Sequence, residues 1–159
     1  EIFTIDGDEA VTKLDVTAGA GADVLGLGTL ADVVDAGAGN DSVTGTSGAN
    51  VITLGDGNDT LLAGTGGENV SGGAGNDLFT LAGNLNSADT IDGGDGTDTL
   101  RIDGNVTNAG ASSTVFGGLS NVEVLAVDTA HSITLSTLLI LLFTSPGRKI
   151  LLFFVIVHR

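Results

Sequence analysis

Residues 72–80 read GGAGNDLFT, and residues 93–101 read GGDGTDTLR. The same nine-residue spacing runs unbroken from residue 18 to residue 80, in the units AGAGADVLG, LGTLADVVD, AGAGNDSVT, GTSGANVIT, LGDGNDTLL, AGTGGENVS and GGAGNDLFT. The segment between residues 80 and 93, LAGNLNSADTID, is three residues longer than one unit. A repeat of fixed period indicates a solenoid, in which each unit packs only on its neighbours.

Each position of the unit has its own residue type. The second and fourth positions are mostly glycine, which adopts the positive φ angles of a tight turn at no steric cost. The eighth position is always apolar, so the residues around it predict a short strand with one side chain pointing into a core. The sixth position always carries a side-chain oxygen: Asp23, Asp32, Asp41, Asn50, Asp59, Glu68, Asp77 and Asp98.

Two nine-residue units would close one coil of about 18 residues, as a turn, a strand, a second turn and a second strand. We therefore predict an all-β fold: a right-handed parallel β-roll, or β-solenoid, whose two parallel sheets enclose a thin aliphatic core. Residues 1–17 are predicted to form N-terminal capping strands, and residues 18–101 the roll. Residues 102–159 are predicted to be a β extension that ends in an apolar hairpin.

Charge is distributed unevenly along the chain. The net charge is −15, and all 20 acidic residues lie between Glu1 and Asp128, where only Lys13 and Arg101 oppose them (2 − 20 = −18). Residues 129–159 contain no acid and carry three basic residues. An acidic body repels nucleic acid and anionic membranes and attracts cations. There is no cysteine, so thiolate chemistry and a disulfide framework are excluded.

Calcium is the cation that these residue types favour. Successive coils stack about 4.8 Å apart, so neighbouring carboxylates on one edge would repel each other by roughly 3 kcal/mol at an effective dielectric of 20. Calcium accepts six to eight oxygen ligands in irregular geometry, whereas magnesium requires a tight octahedron. With no cysteine and only His131 and His158, a zinc site is not expected.

The units resemble the RTX nonapeptide, G-G-x-G-x-D-x-U-x with U apolar, and the likeness covers about half the chain. The resemblance implies calcium binding, and export of an unfolded chain from the bacterial cytosol through a type I secretion channel. Folding would then follow in the calcium-rich exterior, which implies a secreted or cell-surface protein. Residues 117–128, GGLSNVEVLAVD, are similar to sequence that follows such repeats in bacterial S-layer proteins.

Alternate units predict an ion ladder along only one edge of the roll. Units that begin at residues 18, 36, 54 and 72 keep G-x-G-x-D, whereas those between them lose a glycine or replace the aspartate. Three to four calcium ions are predicted, the fourth being less regular because of the insertion. RTX proteins commonly load both edges, so this one-edged ladder is a departure from the family pattern, and no ion is expected near Asp32, Asn50 or Glu68. The candidate ligands are Asp23, Asp41, Asp59, Asp77 and Asp98, with the turns of Gly19, Gly21, Gly37, Gly39, Gly55, Gly57, Gly73, Gly75, Gly94 and Gly96.

The tail contains two apolar runs, residues 138–143 and 150–157, around the turn Ser145-Pro146-Gly147. The interruption favours a β-hairpin over a membrane span, and we interpret it as a subunit interface. The abrupt change in composition is also compatible with a tail that is not the natural continuation of the chain. At the other end, no methionine or secretory leader opens the chain, which favours a processed or internal start.

Catalytic motifs are not found, and the repeat accounts for the carboxylates without acid–base chemistry, so we expect no enzyme activity from these residues. The main functional prediction is an extracellular structural protein, an S-layer or filament subunit that folds and assembles into a homo-oligomer on binding calcium. The alternative is a C-terminal RTX module that helps to export and fold a larger secreted enzyme, toxin or adhesin.

Overall fold

A computed structural model describes residues 4–6, 13–81, 85–103, 106–107, 117–127, 133–134, 144–145 and 148–149. In these residues the chain forms short strands that are joined by turns. The strands are β1 (Thr4–Asp6), β2 (Asp15–Ala20), β3 (Val24–Gly26), β4 (Val33–Ala38), β5 (Ser42–Thr44), β6 (Val51–Asp56), β7 (Thr60–Ala63), β8 (Asn69–Ala74), β9 (Leu78–Leu81), β10 (Thr90–Asp95), β11 (Thr99–Ile102), β12 (Val106–Thr107), β13 (Leu119–Ser120), β14 (Val124–Val127), β15 (Ile133–Thr134), β16 (Thr144–Ser145) and β17 (Arg148–Lys149). None of the described residues forms a helix that could cross a lipid bilayer.

Two parallel sheets make up the body of the protein. One has the order β1-β3-β5-β7-β9-β11-β14, and the other has the order β13-β10-β8-β6-β4-β2. The chain alternates between the sheets, and Val34 pairs with Ile52 and Val43 with Leu61, which is the same 18-residue offset that separates hydrogen-bonded Asp23 and Asp41. The predicted all-β parallel solenoid, with two nine-residue units in each coil, is therefore confirmed.

The core lies between the two sheets and consists mainly of the eighth-position residues and of the residues that pair with them. One sheet contributes Leu25, Val43, Leu61, Phe79 and Leu100, and the other contributes Val16, Val34, Ile52, Val70 and Ile91, all buried. Residues on either side of them along the strands are mostly exposed, as the two-residue period of a strand requires. Full burial of one such side chain stabilises the fold by about 1.5–3 kcal/mol.

The three additional residues are accommodated between β9 and β10. The offset between paired residues grows by three at that point, where Val70 pairs with Ile91 and Phe79 with Leu100. Two further strands extend the roll after β11: Ile91 pairs with Leu119 (119 − 91 = 28), and Leu100 with Leu125 (125 − 100 = 25). The turn between β13 and β14 is therefore three residues shorter than the corresponding earlier turns.

The flanking segments are described only in part. Strand β1 adds to the edge of one sheet beside β3, and β2 continues across residue 17 into the first coil. Strands β16 and β17 pair antiparallel at the position of the predicted hairpin turn. The apolar runs 138–143 and 150–157 lie outside the described residues.

Candidate metal-binding site

The two edges of the roll consist of different turns. We call the turns at residues 18–23, 36–41, 54–59, 72–77 and 93–98 the first edge, because each joins a long strand of one sheet to the next short strand of the other. The turns at 27–32, 45–50, 63–68 and 85–89 form the second edge. The additional residues fall on the second edge, so the turn at 93–98 stacks on the turn at 72–77, with Gly73 paired to Gly94.

The first-edge aspartates form a continuous ladder of buried carboxylates. The backbone N–H of each aspartate donates to the Oδ1 of the aspartate one coil further on, at 2.7–2.9 Å, and the pairs are Asp23 to Asp41, Asp41 to Asp59, Asp59 to Asp77 and Asp77 to Asp98. Each of these side chains is at most 2 % exposed. Five carboxylates are thus held one above another, each reaching back toward the preceding turn.

Three consecutive carboxylates of this ladder use only one of their two oxygens. The Oδ2 atoms of Asp41, Asp59 and Asp77 are buried and have no hydrogen-bond partner. A buried charged group without a partner costs several kcal/mol, and natural proteins almost always provide a partner or a metal. The described basic side chains do not supply one, since Lys13 is exposed and Arg101 pairs at the surface with Asp103 at 3.5 Å.

The pKa values of two ladder aspartates also show that burial disfavours their ionised form. Burial raises the pKa of Asp77 to about 6; the backbone hydrogen bond from Asp59 opposes this rise, and the charges of Asp59 and Asp98 add to it. Burial also raises the pKa of Asp59, again against a backbone hydrogen bond and with a contribution from the charge of Asp41. These carboxylates are therefore destabilised when ionised, and a bound cation would remove that penalty.

The glycines of the first edge allow neighbouring turns to approach closely. Gly39 and Gly57 both have φ +141, and a Cβ at Gly57 would overlap the backbone carbonyl of Gly39. Substitution at this position would therefore combine backbone strain with a backbone clash. Gly19 differs from the other predicted glycines because it lies in the first stacked turn, and a Cβ there would have no neighbour within 4 Å.

Gly57→Ala is expected to raise the calcium concentration needed for folding by about tenfold or more, because the strain and the clash each cost roughly 1–3 kcal/mol. Circular dichroism during a calcium titration would measure the shift. Gly19→Ala is the matched control and should fold at the wild-type calcium concentration. Equal midpoints for the two variants would contradict the stacking described for these turns.

The structure brings all five predicted aspartates to one edge, and it adds two acidic residues that the repeat pattern did not identify. Asp89 is buried on the second edge and accepts the N–H of Glu68 at 2.9 Å. Glu123 accepts the N–H of Asp98 at 2.9 Å and so ends the first-edge ladder. Asp89 lies two residues before the inward apolar side chain of Ile91, and Glu123 lies two residues before that of Leu125. This spacing is the one feature of the sequence by which they could have been predicted.

No group of three or more acidic, histidine or cysteine side chains suited to a metal is found within the described ranges. Each gap of the ladder offers two carboxylates, so a calcium ion there would need backbone carbonyl oxygens of the glycine-rich turns to complete its six to eight ligands. The available donors are all oxygen atoms, and the buried Oδ2 atoms lack a partner that a cation would supply. A Cβ at the stacked glycines would overlap the backbone of the neighbouring turn. The residues present therefore fit calcium.

Comparison with known proteins agrees with this geometry. A family model for the RTX calcium-binding nonapeptide repeat (4 copies) matches residues 27–61, 62–83 and 85–101. These residues make up most of the stacked coils, and the coils therefore carry RTX calcium-binding nonapeptide repeats. Searches of curated proteins and of solved structures gave no significant match.

Proposed function

We propose that this chain is an extracellular structural subunit whose roll folds and assembles when calcium fills the first edge. The observation that carries the proposal is the row of buried, unpartnered Oδ2 atoms on Asp41, Asp59 and Asp77. Calcium binding by RTX repeats is the general property of the family. The number of ions and the assembly are inferred from the residues of this chain.

Four calcium ions are expected, one in each gap between the five first-edge turns. The gap between Asp77 and Asp98 has the same hydrogen bond, at 2.9 Å, as the gap between Asp59 and Asp77. The fourth site is therefore expected to be as regular as the others. Asp23, Asp41, Asp59, Asp77 and Asp98 would hold the ions with carbonyl groups of their turns.

Bound calcium would supply the positive charge that neutralises the carboxylates of the ladder. The chain itself positions those carboxylates. The backbone N–H groups hold each Oδ1 in place, which leaves Oδ2 to face the ion. The thin core is insufficient to hold the ionised edge together, because several repelling pairs rival a total stability of about 5–15 kcal/mol. Ligand that binds only the folded state then drives folding.

The proposed extracellular location rests on two points: the fold requires calcium, and RTX proteins are typically secreted. Assembly is supported by the open sheets: in the described part of the chain, β2 pairs only with β4, and β14 only with β11. An unpaired strand edge is a template for a strand of another copy. A subunit with such ends can extend head to tail, which gives a filament or a layer.

A calcium titration of the whole chain at neutral pH, followed by circular dichroism and light scattering together, tests the assembly. We expect large particles to appear at the same calcium concentration as β-structure. Magnesium at the same concentrations is the control and should produce neither signal. A chain that folds with calcium but stays monomeric would contradict self-assembly and would favour the alternative, an export and folding module of a larger secreted protein.

A further inference from the structure

Two carboxylates of the second edge have both oxygens hydrogen-bonded to the chain, in contrast to Asp41, Asp59 and Asp77 on the first edge. Asp32 Oδ1 accepts the N–H of Leu14 at 2.8 Å, and its Oδ2 accepts the N–H of Gly28 at 3.1 Å. Asp89 is bonded in the same way, with its Oδ1 on the N–H of Glu68 and its Oδ2 on the N–H of Asn86 at 2.7 Å. Both oxygens of each carboxylate are therefore already bonded to the chain.

Backbone carbonyls of the second edge are also bonded by side chains. The hydroxyl of Thr46 donates to the carbonyl of Gly28, and that of Ser47 donates to the carbonyl of Thr29 at 3.3 Å. The Asn86 amide donates to the carbonyl of Gly66 at 3.3 Å. A calcium ion on this edge would have to displace these donors to obtain its oxygen ligands.

The centre of the second edge is occupied by Asn50 and Glu68, which are 0 % and 1 % exposed. Asn50 Oδ1 accepts the N–H of Asp32 at 2.9 Å, and this bond fixes the orientation of the amide. A flipped amide would place its NH₂ group against that N–H donor. In this gap, two buried atoms have no hydrogen-bond partner: the Nδ2 of Asn50 and the Oε1 of Glu68.

The Asn50 amide therefore presents a donor at the place where the first edge presents a carboxylate oxygen. Burial raises the pKa of Glu68, and the backbone N–H of Asn50, which donates to the Oε2 of Glu68 at 3.2 Å, opposes that rise. Asn50 and the Glu68 carboxylate are therefore direct neighbours in this gap. An N–H₂ group directed at a cation is repulsive and supplies no ligand. Asn50 thus replaces one of the two carboxylates that a calcium site in this gap would need.

We propose that calcium binds to the first edge alone, and that Asn50 is the specificity-determining residue that excludes it from the centre of the second edge. The roll is then asymmetric, with one edge closed by metal and the other by the hydrogen bonds of the chain. This inference rests on the proposed calcium binding of the first edge.

Asn50→Asp tests the proposal by a gain of binding. Bound calcium would be counted by elemental mass spectrometry after equilibrium dialysis at pH 7.5, with wild type expected to hold four ions and Asn50→Asp five. Asn69→Asp is the matched control: Asn69 is exposed on β8 and accepts the hydroxyl of Thr90 at 3.0 Å through its Oδ1, which aspartate retains. The control should hold four ions.

Two outcomes would overturn the inference. Wild type could bind more than four ions, which would show that the second edge is loaded despite Asn50. Asn50→Asp could fold and still bind four, which would remove Asn50 from its assigned role. If Asn50→Asp does not fold, the wild-type count alone decides. A wild type that binds no calcium would instead contradict the proposed function, so the two failures are distinguishable.

Discussion

At pH 7.5 with excess EGTA, the chain is expected to lose most of its β-structure and to regain it when calcium is restored. The physical reason is the first-edge ladder, in which ionised carboxylates repel across each gap and three Oδ2 atoms are buried without a partner. Circular dichroism in the far ultraviolet measures the change. A chelated chain that keeps its full β-signal at this pH would contradict calcium-dependent folding.

Acid should partly replace calcium in the same experiment. The pKa of Asp77 in the folded chain is about 6, above its ordinary value of 3.8, so the folded state binds more protons than the unfolded state between these pH values. The stability of the calcium-free fold is therefore greatest below about pH 4 and falls as the pH rises through about 6. The contribution of Asp77 alone is roughly 3 kcal/mol. The chelated chain should accordingly show more β-structure at pH 5 than at pH 7.5.

Asp59→Asn is expected to bind fewer calcium ions than the wild type, because Asp59 borders the gaps to Asp41 and to Asp77. The calcium midpoint of folding should rise by about tenfold or more. The substitution keeps an Oδ1 acceptor for the N–H of Asp41 but replaces the unpartnered Oδ2 by an amide donor, as Asn50 does on the second edge. A tenfold shift for one lost ligand corresponds to about 1.4 kcal/mol. Isothermal titration calorimetry would give both the stoichiometry and the affinity.

Without calcium, Asp59→Asn should stabilise the fold instead of weakening it. Because burial raises the pKa of Asp59, removal of its charge relieves the chelated fold, and Asp59→Asn should then be at least as structured as wild type. Asp35→Asn is the control, since Asp35 is exposed on β4 and the charge change is identical. If Asp35→Asn shifted the midpoint as much as Asp59→Asn, net charge rather than the ladder would explain the effect.

The repeat was sufficient to predict the architecture because each position of the unit has one physical role. The nine-residue period alone placed Asp41, Asp59 and Asp77 on one edge, and the eighth-position residues in the core. Solenoids allow this because their contacts are between neighbouring units, so one period determines every coil.

Other features depended on local structure that the pattern does not contain. Asp89 and Glu123 are not preceded by the glycines of a full unit. Only their spacing to an inward apolar side chain indicates that they occupy the acidic position of the repeat. The insertion of three residues could have fallen on either edge, and only the pairing of β9 with β11 and β8 with β10 places it on the second. The N–H groups of Gly28 and Asn86 bond to carboxylates because of turn conformations that the sequence does not specify.

The most direct test of the account is a crystal structure of the calcium-loaded chain, with ions located from anomalous scattering. We expect four peaks on the first edge, each between the carboxylates of successive coils from Asp23 to Asp98, and none beside Asp32, Asn50 or Glu68. Absence of peaks along the Asp41, Asp59 and Asp77 ladder in a folded chain would contradict the central claim.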